Sequence, residues 1–137
     1  MKIKMYLALC ITSLSSIQYG HAQDQSEADL YSQCVGQVIV ENKLPSINNA
    51  VVEACSTQAT QNYQKQIVKL LDKIKAQSQE NKQPERYQKI MKSQQLWKAY
   101  VDQECQNAGE FIGSPMYGFC PMTEYKSRVA SLGEYAQ

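Results

Sequence analysis

Histidine is almost absent from this sequence of 137 residues, and its single copy, His21, lies near the N-terminus. We expect the segment that carries His21 to be removed, which leaves no histidine in residues 23–137. Histidine is the side chain best suited to act as general base, proton shuttle or metal ligand near neutral pH. Histidine-dependent catalysis and histidine-ligated metals are therefore excluded from that part of the chain.

The first 22 residues have the features of a cleaved secretory signal peptide. Lys2 and Lys4 precede a largely apolar stretch over residues 5–16, and the tripeptide ending at Ala22 places small residues at the positions that a signal peptidase reads. Cleavage near Ala22 would leave residues 23–137 as a single domain. The sequence thus predicts an exported protein, either periplasmic or secreted.

Long apolar runs and an excess of one charge are both missing from the rest of the chain. No later apolar run approaches the ~20 residues that cross a bilayer, so membrane insertion is not expected. Removal of Lys2 and Lys4 leaves 12 lysines and arginines against 13 aspartates and glutamates. This balance gives no support for nucleic acid or an anionic membrane surface as a partner.

Four cysteines remain after the signal segment, at positions 34, 55, 105 and 120. An even number of cysteines in an exported chain predicts two structural disulfides. A zinc site is the alternative, but the spacings are wide and no C-x-x-C pair is present. Cys10 lies within the signal segment and follows Leu9 rather than a small residue, which disfavours a lipoprotein.

Apolar residues recur at steps of three and four, which is the spacing of helices, and no segment alternates with the period of a strand. We predict an all-α fold, a small disulfide-linked bundle of about four helices with a tied loop between helices 3 and 4. Helix 1 is expected over about 26–40, and helix 2 begins after Ser46 as N-cap. Residues 76–84 are expected to form a surface connection before helix 3 begins near Pro84, a residue tolerated in a first turn.

Two of the predicted helices carry long apolar stripes. The stripe of helix 2 starts at Ile47 and ends at Ile74, opposite a lysine-rich face that is typical of a solvated surface. The stripe of helix 3 includes Trp97 and Cys105, and Leu96 and Tyr100 widen it. A face of that width predicts that helix 3 packs against two other helices.

The disulfide pairing follows from the helical reading. Cys34 and Cys55 lie about equally far from the Leu44-Pro45 break, so they face each other in an antiparallel helical hairpin. Cys105 and Cys120 then join the end of helix 3 to the start of helix 4. Each crosslink is expected to stabilise the fold by roughly 3 kcal/mol through the unfolded state.

The interval between Cys105 and Cys120 combines glycines and prolines with large apolar side chains. Glycine and proline disfavour helix continuation, so we predict a loop here and a fourth helix only from Pro121 to about Tyr135. Long loops in compact domains are more often functional than incidental. The candidate partner-binding residues are Glu110, Phe111, Ser114, Met116 and Tyr117. The alternative is that the apolar members fold back and cap the bundle.

Catalytic motifs are not found in the sequence. It has no G-x-S-x-G, no glycine-rich phosphate loop and no metal-ligand cluster. Asp102 and Glu104 are two residues apart, so they point to different sides of a helix. We therefore expect no catalytic, cofactor-binding or metal-binding residues, and Asp102 is expected to pair with Lys98.

The pattern Gln95-x-Trp97-x-x-Tyr100-x-Asp102-x-x-Cys105, followed by Cys120 and Arg128, resembles the lysozyme-inhibitor LprI-type family of small exported bacterial domains. The resemblance extends from about Cys34 to Leu132. It departs from the family at Val101, where members usually have arginine. The resemblance implies a helical fold with two disulfides and a function in binding and inhibiting lysozyme.

These features favour an exported protein that binds a lysozyme-type peptidoglycan hydrolase and blocks its cleft sterically with the 105–120 segment. A different class of function fits the same surface, namely a structural or accessory subunit of a cell-envelope or secretion machine. An enzyme that acts on cell-wall sugar through carboxylates is a third hypothesis. No sequence motif supports it.

Overall fold

Four α-helices and no strand make up the part of the chain that a computed structural model describes, residues 29–137. They are α1 (Leu30–Glu41), α2 (Asn49–Glu80), α3 (Pro84–Phe111) and α4 (Met116–Tyr135). The all-α prediction is confirmed. The expected signal peptide, its cleavage site and the expected start of helix 1 at Ser26 lie outside the described residues.

Side-chain caps set the first two helix starts. The Asp29 carboxylate accepts hydrogen bonds from the backbone N–H groups of Tyr31 and Ser32, both at 3.1 Å, so α1 begins at Leu30. Asn48 caps α2 by accepting from the N–H of Val51 at 3.1 Å. The prediction of Ser46 as N-cap is therefore wrong by two residues.

Helix α2 is the element on which the bundle is assembled, because it packs against each of the other three helices. Helix α4 packs along α2 and also against α3, while α1 packs on the N-terminal half of α2. The main core lies where α2, α3 and α4 meet, and Ile74, Val101 and Leu132 are its fully buried members. The lysines of α2 face solvent, as expected. Ile47, which was expected to begin the buried stripe of this helix, is 45% exposed and lies before the helix.

Both predicted disulfides are present. Cys34 bonds to Cys55 across the α1–α2 hairpin, where the pair forms a small apolar cluster with Val51. Cys105 bonds to Cys120 and joins the last part of α3 to the first turns of α4. The hairpin argument from the sequence is confirmed.

The connection between α3 and α4 is much shorter than expected. Helix α3 continues to Phe111 and α4 already begins at Met116, so the irregular segment is residues 112–115. Pro121 lies inside α4 instead of opening it. The segment is tied by the Cys105–Cys120 disulfide as predicted, and Gly113 allows the turn because its φ is +93°.

The connection between α2 and α3 is also shorter than predicted. Helix α2 runs through residues 76–80, and Ser78 in this stretch is fully buried. Its hydroxyl donates to the carbonyl of Ile74 at 2.7 Å, and the Arg86 guanidinium lies 3.4 Å from the same hydroxyl. Arg86 also donates to the carbonyl of Tyr135, so this turn holds the end of α4.

No helix within residues 29–137 has an apolar stretch long enough to traverse a lipid bilayer.

Candidate functional site

The turn between α3 and α4 projects large apolar side chains into solvent. Phe111 is 82% exposed and Ile112 is 72% exposed. We call residues 110–116 the apex. The prediction that part of this segment is exposed is confirmed for Phe111 and Ile112, which do not cap the bundle.

The candidate partner-binding residues do not all lie on one surface. Glu110, Phe111 and Ser114 are exposed at the apex, and Met116 is half-buried at its base. The Glu110 carboxylate accepts a hydrogen bond from the side-chain amide of Gln106 at 2.8 Å. Tyr117 instead lies to one side, in a groove along α2 that α3 and α4 also line.

Contacts from α2 hold the apex and the start of α4 in place. The Asn49 side chain donates to the carbonyl of Ser114 at 3.3 Å. One turn further along α2, the Glu53 carboxylate lies against Gly118, where an added Cβ would be only 3.0 Å from a carboxylate oxygen. A carboxylate beside a helix N-terminus also interacts favourably with the helix dipole. Together with the Cys105–Cys120 disulfide, these contacts fix the apex from both sides.

The residues of the sequence motif separate into a packed group and an exposed group. Trp97 packs edge-on against Tyr125 with ring centroids 5.0 Å apart, and the Arg128 guanidinium lies 5.5 Å from the Trp97 ring. Arg128 donates from Nε to the Gln94 side chain at 2.8 Å, and burial lowers its pKa. The interpretation of Trp97 as a structural residue is thus supported by its contacts.

The other motif residues point away from the core. Tyr100 is 56% exposed and Gln95 is also exposed. Leu96 is 66% exposed on the same outer face of α3. The expectation that Leu96 and Tyr100 widen the buried stripe is therefore wrong for both residues. Asp102 pairs with Lys98 as predicted, and this hydrogen bond is the main cause that raises the pKa of Lys98.

A groove runs along α2 beside α3 and α4: one compartment is lined by all three helices, and the other by α2 and α4 only. Its two adjoining compartments have volumes of ≈ 370 Å³ and ≈ 320 Å³, and they share Thr60, Gln64, Tyr117 and Pro121. Sequence reasoning did not identify this groove. The signal was the stretch from Thr57 to Gln64, which carries no charged residue on a helix that is otherwise lysine-rich on its solvent side.

Metal chemistry has no basis in the described part of the chain. Within residues 29–137, no three histidine, cysteine, aspartate or glutamate side chains are grouped so that they could hold a metal ion. The four cysteines are all consumed in disulfides. What this surface offers a partner is shape, apolar area and hydrogen-bonding groups.

Taken together, the fold and the exposed apex define a small disulfide-clamped helical domain with a rigid apolar projection. The chain belongs to the lysozyme inhibitor LprI family, whose model matches residues 42–132. The match includes α2, α3 and most of α4 but not α1, so it begins later than the resemblance from Cys34 had indicated. No curated protein and no solved structure matches the chain.

Proposed function

We propose that this protein is an exported inhibitor of a lysozyme-type peptidoglycan hydrolase and that the apex occludes the hydrolase cleft. Family membership supports lysozyme inhibition in general. The main observation that supports the apex as the contact surface is the exposure of Phe111 and Ile112, at 82% and 72%, where α3 meets a short turn that other contacts hold in place. In many protein interfaces, a few side chains that become fully buried on binding dominate the affinity.

The apex is suited to binding because little of it has to become ordered. Its irregular part is residues 112–115, between two helices joined by the Cys105–Cys120 disulfide. The carbonyl of Ser114 is also held by Asn49 of α2. Immobilising a flexible side chain on binding costs roughly 0.5–1.5 kcal/mol, so a projection that is already fixed retains more of its contact energy as affinity.

The chemistry of a lysozyme-type cleft sets what the apex must provide. Such clefts hold two carboxylates that flank the scissile bond. The exposed Ser114 hydroxyl is a hydrogen-bond donor that a carboxylate can accept from. Phe111 and Ile112 would fill the apolar part of the cleft and exclude the substrate. Inhibition is therefore steric, with no chemical step on this chain.

The test is to mix the oxidised protein with c-type, g-type and i-type lysozymes and to follow lysis of bacterial cell walls. Replacement of Phe111 by alanine should raise the inhibitor concentration needed for half-inhibition at least about tenfold, because it removes the main apolar anchor. Tyr100→Ala, which truncates an exposed aromatic residue on the outer face of α3, should leave inhibition unchanged. No inhibition of any of the three lysozymes at micromolar excess would contradict the proposal.

A second candidate is a structural or accessory subunit of a cell-envelope or secretion machine. The outer face of α3 favours it, because Leu96 and Tyr100 are 66% and 56% exposed on the side opposite the core. A pull-down from periplasmic extract separates the two functions. An envelope protein retained by the wild type and lost with Leu96→Ala would favour the accessory subunit over the inhibitor.

A further inference from the structure

The groove along α2, lined also by α3 and α4, has the size of a small-molecule site. Its compartments of ≈ 370 Å³ and ≈ 320 Å³ are each within the range of small-molecule sites. It opens to solvent on the side of the bundle, next to the apex but not part of it. The groove is therefore a second surface with its own chemistry.

The α2 wall of the groove is a row of uncharged polar side chains. Thr57, Gln61 and Gln64 follow each other at steps of four and three, so they lie on one face of α2. The row is about 10 Å long at the rise of an α-helix. All three side chains are exposed, and none has a hydrogen-bond partner among residues 29–137. A hydroxyl and two primary amides are thus available to a ligand.

Tyr117 supplies a flat aromatic surface that contributes to both compartments. Its ring packs directly on Gly109 of α3, where an added Cβ would lie 2.2 Å from a ring carbon. The ring is nevertheless 55% exposed. The lack of a side chain at Gly109 therefore lets the ring lie close to the α3 backbone, while more than half of Tyr117 stays exposed. An aromatic face of this kind packs well against the C–H face of a sugar ring.

The α3 wall indicates that the ligand is neutral. Lys98 and Asp102 are the charged residues of the groove lining, and they form an ion pair with each other. No lining cation is left over to bind a phosphate or a polyanion within the described chain. The remaining lining is hydroxyl, amide, aromatic and small apolar groups.

We propose that this groove binds a neutral chain of N-acetylated amino sugars. One sugar ring lies against Tyr117, and the glutamines of α2 pair with acetamido groups. A glutamine side chain carries both a donor and an acceptor, as an acetamido group does, so the two can form a pair of hydrogen bonds. The row on α2 is long enough for about two sugar rings. This binding does not depend on the proposed lysozyme inhibition.

The probe is N,N′,N″-triacetylchitotriose, a neutral trimer of N-acetylglucosamine, titrated into the oxidised protein and followed by amide chemical shifts in NMR. Saturable shifts are expected at residues 57–64 and at Tyr117. Tyr117→Ala should weaken binding at least about tenfold, and Gln64→Ala should weaken it several-fold. Tyr100→Ala is the matched control, because Tyr100 and Tyr117 are 56% and 55% exposed. It should bind like the wild type.

Three results would overturn the proposal. They are no saturable shift at millimolar trimer, equal weakening by Tyr117→Ala and Tyr100→Ala, and equal binding of cellotriose, which lacks the acetamido groups. Saturable binding of an uncharged tripeptide in the groove, without binding of the sugar, would make it a peptide site and would also overturn the proposal. Because no lysozyme is present in this titration, its outcome is separate from that of the inhibition assay.

Discussion

The two disulfides can be compared directly, because they stabilise the fold to nearly the same extent but lie in different places. Their sequence separations are 21 for Cys34–Cys55 and 15 for Cys105–Cys120. In the chain-entropy account, loops of this length each contribute about 3 kcal/mol, and the two contributions differ by only about 0.3 kcal/mol. Replacing either pair by alanine should therefore lower the free energy of unfolding almost equally, as measured by urea denaturation.

Inhibition of lysozyme should respond differently to the two double variants. Cys34–Cys55 holds α1 on α2, whereas Cys105–Cys120 joins the two helices that flank the apex. Without the second disulfide, the apex is held mainly by Asn49 and by the packing of α4, so it has to be ordered on binding. At a temperature where circular dichroism shows both variants folded, the concentration for half-inhibition should rise several-fold for Cys105→Ala/Cys120→Ala alone. Equal inhibition by both variants would refute the assignment of the apex as the contact surface.

Two further predictions concern stability. Leu132 is 0% exposed in the core, so Leu132→Ala should lower the free energy of unfolding, measured in urea, by about 2–5 kcal/mol. A loss below about 1 kcal/mol would show that the neighbouring side chains move in and fill the cavity. The N–H of Ser32 and the Lys126 ammonium lower the pKa of Asp29 below 3.8. The charged Asp29 carboxylate therefore stabilises the fold above pH 3.8, and this stabilisation is lost as the pH falls through the lowered pKa. Asp29→Asn keeps a capping side chain but removes the charge. The free energy of unfolding of the wild type should therefore exceed that of Asp29→Asn by less than about 1 kcal/mol near neutral pH, and the two values should be equal well below pH 3.8. A difference that persists in acid would contradict the charge argument.

Periodicity was sufficient to predict the helices wherever apolar residues mark the buried face. The stripes of α2 and α3 and the position of Trp97 on the core side all follow from steps of three and four. The disulfide pairing followed from the hairpin. These features can be predicted from a single sequence, because they depend only on the spacing of residues along the chain and on the antiparallel packing of neighbouring helices.

Tertiary packing overrode the local signals between Cys105 and Cys120. Gly109 costs roughly 1 kcal/mol in a helix relative to alanine, but it is the position at which the Tyr117 ring packs closely on α3. Pro121 removes one helical N–H, so only the carbonyl of Tyr117 loses its usual partner near the start of α4. The packing of Tyr117 on Gly109 is a tertiary contact, so it is not visible in the sequence alone.

The other differences between the sequence prediction and the structure have separate physical causes. Ser78 continues α2 because its hydroxyl is satisfied by the carbonyl of Ile74 and because Arg86 binds beside it. Tyr100 was assigned to the core because it is apolar and near the stripe, but it lies on the outer face of α3. The groove was missed because its lining comes from three helices, and its polar residues resemble an ordinary solvated surface.

The positions of the two disulfides determine how the protein would respond to a single proteolytic cut. The covalent loops enclose residues 34–55 and 105–120, so a cut within 42–48 or 112–115 leaves the two pieces joined. A cut at Lys82, which is exposed and has a φ of 56°, separates α1 and α2 from α3 and α4, and only non-covalent packing then holds the pieces together. Resistance of this protein to a single proteolytic cut therefore depends on how well the packed end of α4 shields that turn.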